Sequence, residues 1–322
     1  MEKNTKKGLI TGFFGVIFVG LQPIIAILRP TIVDAYLSGA MTCLVEALIF
    51  FPLVLVEYKV LNSSNHKRKT QDNGIYKVNG FRHWKKNAWL LIGIGLLFGV
   101  NQVFFFIGYD MARPINGSLA QKTTVFFSLF LGWLILKERI TKLQIAFSLF
   151  LFLGLAISIT QFFTLIDINF TVLIGVGIIL LISLMWIFGH TLTKPIFSRN
   201  EATPIQMVFI RNTISAIVLI STYLLIFRPD LKIFIEPGNL LFFFLMGSVY
   251  GTGLICWYKT LSYLDVSKAT TVFAPTPISS AIFATFILGD DFTLAHLIGT
   301  IIIIFSILII VNQKDESKIL DT

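Results

Sequence analysis

The stretch "NGSLAQKTTVFFSLFLGWLILKER", residues 116–139, decides the fold. From Thr123 to Leu136 it carries no charge, and it closes on the basic residues Lys137 and Arg139. With the residues before it, the run reaches the ~20 mostly apolar residues that a helix needs to cross a bilayer. In lipid a chain must satisfy its backbone groups internally, so such a run is read as a helix. Lys122 sits inside it. An isolated charge at such depth costs about 2.5–3.5 kcal/mol or more, so it needs a partner or a wet cavity.

The rest of the chain has the same character. It is 55% hydrophobic, with 32 Phe and only 13% charged residues, where a soluble domain carries about 25% charged. Ten apolar spans follow: 8–28, 36–56, 88–108, 114–136, 142–164, 170–190, 205–227, 239–259, 267–288 and 293–312. The first is too long for a signal-peptide core, carries Gln22 and Pro23, and has no small-residue cleavage site, so it reads as a retained helix. The fold class is an all-α integral membrane protein with ten transmembrane helices.

The net charge of +9 sorts by side. With the N-terminus in the cytoplasm, the inner segments hold 20 Lys/Arg and the outer loops hold 4, namely Arg29, Arg113, Arg228 and Lys232. Lys122 and Arg211 lie within spans. This bias predicts a multi-pass protein of the cell membrane with both termini cytoplasmic. It makes the lipid bilayer, not nucleic acid, the partner of the basic residues. Segment 57–87 reads as a polar, basic cytoplasmic loop with little fixed structure, fixing topology or resting on anionic lipid. Residues 313–322 form a polar cytoplasmic tail.

The chain also repeats internally. "GLLFG" (Gly95–Gly99) recurs as "GSVYG" (Gly247–Gly251), an offset of 152, and the same offset lays "LKERIT" (136–141) on "LGDDFT" (288–293). A first five-helix repeat, 1–164, and a second, 165–312, follow. Because five is odd, the two are inverted, as in many secondary transporters, whose sites lie near the midplane. The G-x-x-x-G spacing in each half predicts close helix packing.

Ten helices in two five-helix halves, with "LILKERIT" and "FILGDDFT" closing each fourth helix, resemble the drug/metabolite transporter superfamily, EamA type. The strongest local likeness is 258–301, where Pro277 stands thirteen residues before Asp290 as the family pattern has it; the first half has Val125 there. Arg211 in "VFIRNTISA" also matches the family. The resemblance implies a permease for small polar or amphipathic solutes, often moving them outward.

Candidate site residues come from depth and polarity. At 1.5 Å per residue, Lys122 lies roughly 12 Å and Glu46 roughly 15 Å below the outer end of its span. Asn101, Gln102, Gln22 and Gln121 fall in the same outer layer. Lys122 is read in three ways: as a point charge for an anionic substrate, as the partner of Glu46, or as a snorkelling side chain. Glu46 is read as a proton-coupling carboxylate or as the counter-charge of Lys122. Tyr250 and Thr276 are cavity candidates, and Pro275 and Pro277 are either a hinge or a static kink. Arg211 reads as snorkelling or packing. Glu138, Asp290 and Asp291 read as helix caps.

No His/Cys spacing suggests a metal. No phosphate loop, cofactor motif or nucleophile constellation is present, so neither cofactor nor catalysis is expected. The expected function is secondary active transport of small metabolites by alternating access through a cavity between the two halves, with protons as a coupling ion and a monomer or homodimer as the assembly. The alternatives are an exchanger of phosphorylated or nucleotide-linked solutes, or a non-transporting scaffold.

Overall fold

Because almost every backbone group is taken up inside a helix, the computed structural model contains helices and short connections only, among the residues it describes. Those are 3–68, 86–137, 139–162, 169–199, 201–264 and 266–319. The helices are α1 (Lys3–Ile27), α2 (Ala35–Arg68), α3 (Ala88–Ala112), α4 (Pro114–Gln121), α5 (Thr124–Leu136), α6 (Lys142–Thr160), α7 (Phe170–Ser198), α8 (Pro204–Thr222), α9 (Lys232–Ile235), α10 (Pro237–Tyr263), α11 (Val266–Phe273), α12 (Thr276–Phe283) and α13 (Leu294–Ile319). Single π-turns, Tyr223–Phe227 and Ala284–Leu288, extend α8 and α12. Ten helical segments are long and apolar enough to cross a membrane, and they fall on the ten spans read from the sequence. Apolar side chains face outward along them, as with Phe286, 85% exposed. A lipid environment accepts such surface; water does not.

Two of the ten segments are broken in the middle. Pro114–Ile135 is α4 and α5 around a turn at Lys122–Thr123, and Ala269–Leu288 is α11 and α12 around Ala274–Pro275. These are the fourth segments of the two sequence halves. The fifth segments also begin alike. Thr141 and Gln144 form a reciprocal capping box at the start of α6, and 152 residues on, Thr293 and His296 exchange the equivalent bonds at 3.2 Å. A third box, Thr203–Gln206, opens α8. Each satisfies backbone N–H groups that would otherwise be orphaned.

Two sequence expectations change here. The caps belong to threonines, not to acidic residues: Asp290 instead pairs with Arg113, and Glu138 lies outside the described residues. The loop read from residue 57 onward begins as helix, since α2 continues to Arg68. Residues 69–85 lie outside the described residues.

The chain divides into two compact units. The first comprises Met1–Pro30, Phe104–Ile187 and Thr252–Thr322. In it α6 and α13 cross closely enough that a Cβ on Gly299 would lie 2.5 Å from the Gly154 carbonyl oxygen. Arg29 forks onto Asp110, with Nη1 donating at 2.9 Å. The second unit comprises Thr31–Val103 and Phe188–Gly251, with α2 packed along α8. One end of it carries a polar cluster in which Glu201 accepts from Asn87 at 2.7 Å and from Arg199 at 2.9 Å. Nearby, Thr203 Oγ1 donates to Glu57 at 2.7 Å.

Candidate functional site

In the second unit, the two G-x-x-x-G pairs set the geometry. With no side chain at Gly95, α3 lies against α8: a Cβ there would sit 2.5 Å from Ile214 Cγ2, and Ser215 Oγ donates to the Gly95 carbonyl at 2.7 Å. Gly247 likewise seats α10 on α2, since its Cβ would fall 2.4 Å from Val45 Cβ. Beside the second glycine of each pair stands an aromatic residue, Phe98 before Gly99 and Tyr250 before Gly251. The same repeat that brings the helices together therefore delivers one ring from each.

Each ring meets a charge. The Arg211 guanidinium of α8 stacks 4.0 Å from the Phe98 ring centroid, and His190 lies edge-on to that ring at 5.6 Å. Tyr250 lies within electrostatic reach of Glu46, Arg211 and Cys43. Glu46, on α2, accepts from Asn212 Nδ2 at 2.8 Å through Oε2 and faces the Arg211 charge. Cys43, one turn before Glu46, faces Ser215. Glu46, Arg211 and Asn212 are all buried.

The hydrogen-bond accounting is incomplete in this cluster. Among the described residues, Glu46 Oε1 and Arg211 Nε are buried without a hydrogen-bond partner, as is Gln102 Nε2 on α3. Buried polar atoms are normally satisfied, because each one left bare costs free energy. An acceptor on a carboxylate and a donor on a guanidinium, both left open in an apolar span, are what a polar ligand uses.

In the first unit, Lys122 caps α4 and its Nζ donates to the Phe273 carbonyl at 2.8 Å. Thr276 Oγ1 donates to the same oxygen at 2.7 Å. The described partner of Lys122 is thus a backbone carbonyl, while that of Glu46 is an amide. Gln22 is buried on α1, where a Cβ on Gly253 would lie 3.0 Å from its Nε2. Asn101 is buried on α3, in the second unit. Pro275 and Pro277 stand at the α11–α12 break. Among the described residues no group of His, Cys, Asp or Glu can hold a metal.

Arg211 is the residue that the sequence reading undervalued. It does not snorkel: it is 3% exposed and stacked on an aromatic ring. The rule that singled out Lys122, a charge inside an apolar span, applies to it equally. Asn212 and His190 gave no comparable signal, because neutral polar residues are common in spanning helices.

The comparisons with known proteins agree with this architecture. The model of the EamA-like transporter family matches residues 6–160 and 173–312. A protein of Bacillus subtilis (strain 168) named "Uncharacterized transporter YyaM" is 26% identical over 236 residues, covering 70% of this chain and 73% of that protein. A solved structure, described only as the crystal structure of a protein, superposes with a TM-score of 0.62 at 15% identity, covering 98% of this chain and 99% of that one. At that identity the last likeness shows the fold alone.

Proposed function

Since the chain belongs to the EamA-like transporter family, we propose that this multi-pass membrane transporter works as a secondary active permease for small polar or amphipathic metabolites. It works by alternating access through a cavity between its two five-helix halves, with both termini in the cytoplasm of the cell. The observation that carries this reading is the Glu46–Arg211 cluster. A carboxylate and a guanidinium are buried in apolar spans, and each keeps a hydrogen-bonding atom unused among the described residues. Natural membrane spans rarely keep such groups without a use for them. Glu46 serves as the proton-coupling group in this scheme, since a carboxylate in an apolar span readily changes its charge. The exchange of phosphorylated solutes at Lys122 has less behind it, because that ammonium already donates to a backbone carbonyl.

The test is a thermal-shift screen of small polar and amphipathic metabolites on the full chain in detergent, followed by flux of each hit in proteoliposomes. A hit is expected to stabilise wild type and to lose at least tenfold in affinity (about 1.4 kcal/mol) in Glu46→Gln and in Arg211→Met. Undiminished binding and flux in both variants would overturn the assignment.

A further inference from the structure

A helical carbonyl is ordinarily taken by the N–H four residues on. Pro275 and Pro277 have no N–H, so the carbonyls of Thr271 and Phe273 lose their usual donors. Thr271 recovers one from the Ala274 N–H at 3.2 Å. Phe273, the last residue of α11, takes the Thr276 hydroxyl and the Lys122 ammonium. The two donors come from different places: Thr276 follows the break in span nine, and Lys122 lies at the break in span four. Lys122 therefore reaches the bare, negative end of one half-helix from the discontinuity of its counterpart in the other half.

What holds this ammonium is backbone, not acid. Among the described residues of this unit, Asp110 pairs with Arg29 and Asp290 with Arg113. No carboxylate of the unit pairs with Lys122 within the described residues. Unwound carbonyls and the C-terminal ends of half-helices in mid-membrane are the groups that hold a coupling sodium ion in transporters with broken helices. Here the same kind of acceptor is filled by a side chain of the chain itself.

We propose that Lys122 is a tethered cation, occupying a monovalent-cation site at the C-terminal end of α11 and so making the protein independent of sodium and potassium. The inference stands on contacts within the first unit, and it holds whether or not the Glu46–Arg211 cluster binds solute.

The test reads cation binding, not transport. Thermal unfolding of the full chain in detergent is followed in sodium, potassium, ethylammonium and N-methylglucamine chlorides at matched ionic strength. Wild type is expected to unfold at one temperature in all four. Lys122→Ala opens the site. It is expected to unfold earlier in N-methylglucamine and to recover by at least about 2 °C in ethylammonium, with part of the recovery in sodium or potassium. Lys122→Met fills the space without charge, so it is expected to lose stability without responding to any cation. A wild type stabilised by sodium, or a Lys122→Ala variant indifferent to every cation, would sink the proposal. A second measurement stands should Lys122→Ala fail to fold. Pro277→Ala returns an N–H to the Phe273 carbonyl and frees the ammonium, so reductive methylation of Lys122 is expected to quicken several-fold. Unchanged reactivity would refute the role just as firmly.

Discussion

The Arg211 guanidinium lies flat over Phe98, with its carbon 4.0 Å from the ring centroid. Phe98 and Tyr250 are 152 positions apart, each just before the second glycine of its G-x-x-x-G pair. One faces the buried cation and the other the buried carboxylate. The internal repeat thus builds a cluster whose two arms match in position and differ in charge. A desolvated cation–π contact contributes about 2 kcal/mol, and only Arg offers a planar face to stack. Phe98→Leu and Arg211→Lys are each expected to lose about 1–2 kcal/mol, measured by unfolding in denaturant-titrated micelles. Arg211→Met also removes the guanidinium charge that Glu46 faces, so a loss larger than that of Arg211→Lys is expected. The double variant Glu46→Gln/Arg211→Met is therefore expected to be more stable than Arg211→Met alone. Strict additivity of the two changes would show that the charges do not interact.

Asn212 gives Glu46 its one described hydrogen bond, at 2.8 Å. Asn212→Leu leaves both carboxylate oxygens bare. Hydrogen bonds between spanning helices average only about 0.6 kcal/mol in measured cases, whereas bonds to charged groups reach about 1.5–3 kcal/mol. An ionised Glu46 takes the larger figure, so a loss above about 1 kcal/mol is expected. A loss near zero in the same unfolding assay would mean that Glu46 carries a proton and needs no donor.

Glycines in this chain divide sharply by what surrounds them. At Gly299 a Cβ would lie 2.5 Å from the Gly154 carbonyl oxygen, a backbone atom that cannot step aside without parting α6 from α13. At Gly93 and Gly177 a Cβ would meet nothing within 4 Å. Gly299→Ala is expected to cost about 1–3 kcal/mol, as overpacking does. Gly93→Ala is expected to be neutral or to add a few tenths up to about 1 kcal/mol through helix propensity. Equal effects at the two positions, by thermal unfolding, would contradict the close crossing.

The helices were legible because the bilayer leaves a chain so few choices: spans, breaks at Pro275 and Pro277, and small residues at crossings all follow from local sequence. The cluster was only half legible. Glu46 announced itself as a charge in an apolar run, yet its partner Asn212 is 166 positions away and reads as an ordinary polar residue. The described partner of Lys122 is a main-chain carbonyl. It is exposed by a proline four residues further on, and no pattern of side-chain types points to such an acceptor. The capping boxes show the same limit. "KERIT" and "GDDFT" advertise their acids, while the bonds are made by the threonines that follow.

Glu201 lies between spans, where pH can reach it. The Arg199 hydrogen bonds hold its carboxyl well below the usual range, at about 2, with the Asn87 bond and then the Arg199 and Lys86 charges adding to the effect. Its folded-state value is depressed, so the unfolded chain binds the proton more tightly. The stabilisation is then fully present above the ordinary value of 4.5 and is lost as pH falls through about 2. Glu201→Gln removes the dependence, because the amide does not titrate. Wild type is expected to unfold at a higher temperature than Glu201→Gln near neutrality, and the gap is expected to narrow steadily below pH 4.5. A gap that stays constant across that window would place the contribution of Glu201 in its hydrogen-bond geometry and not in its charge.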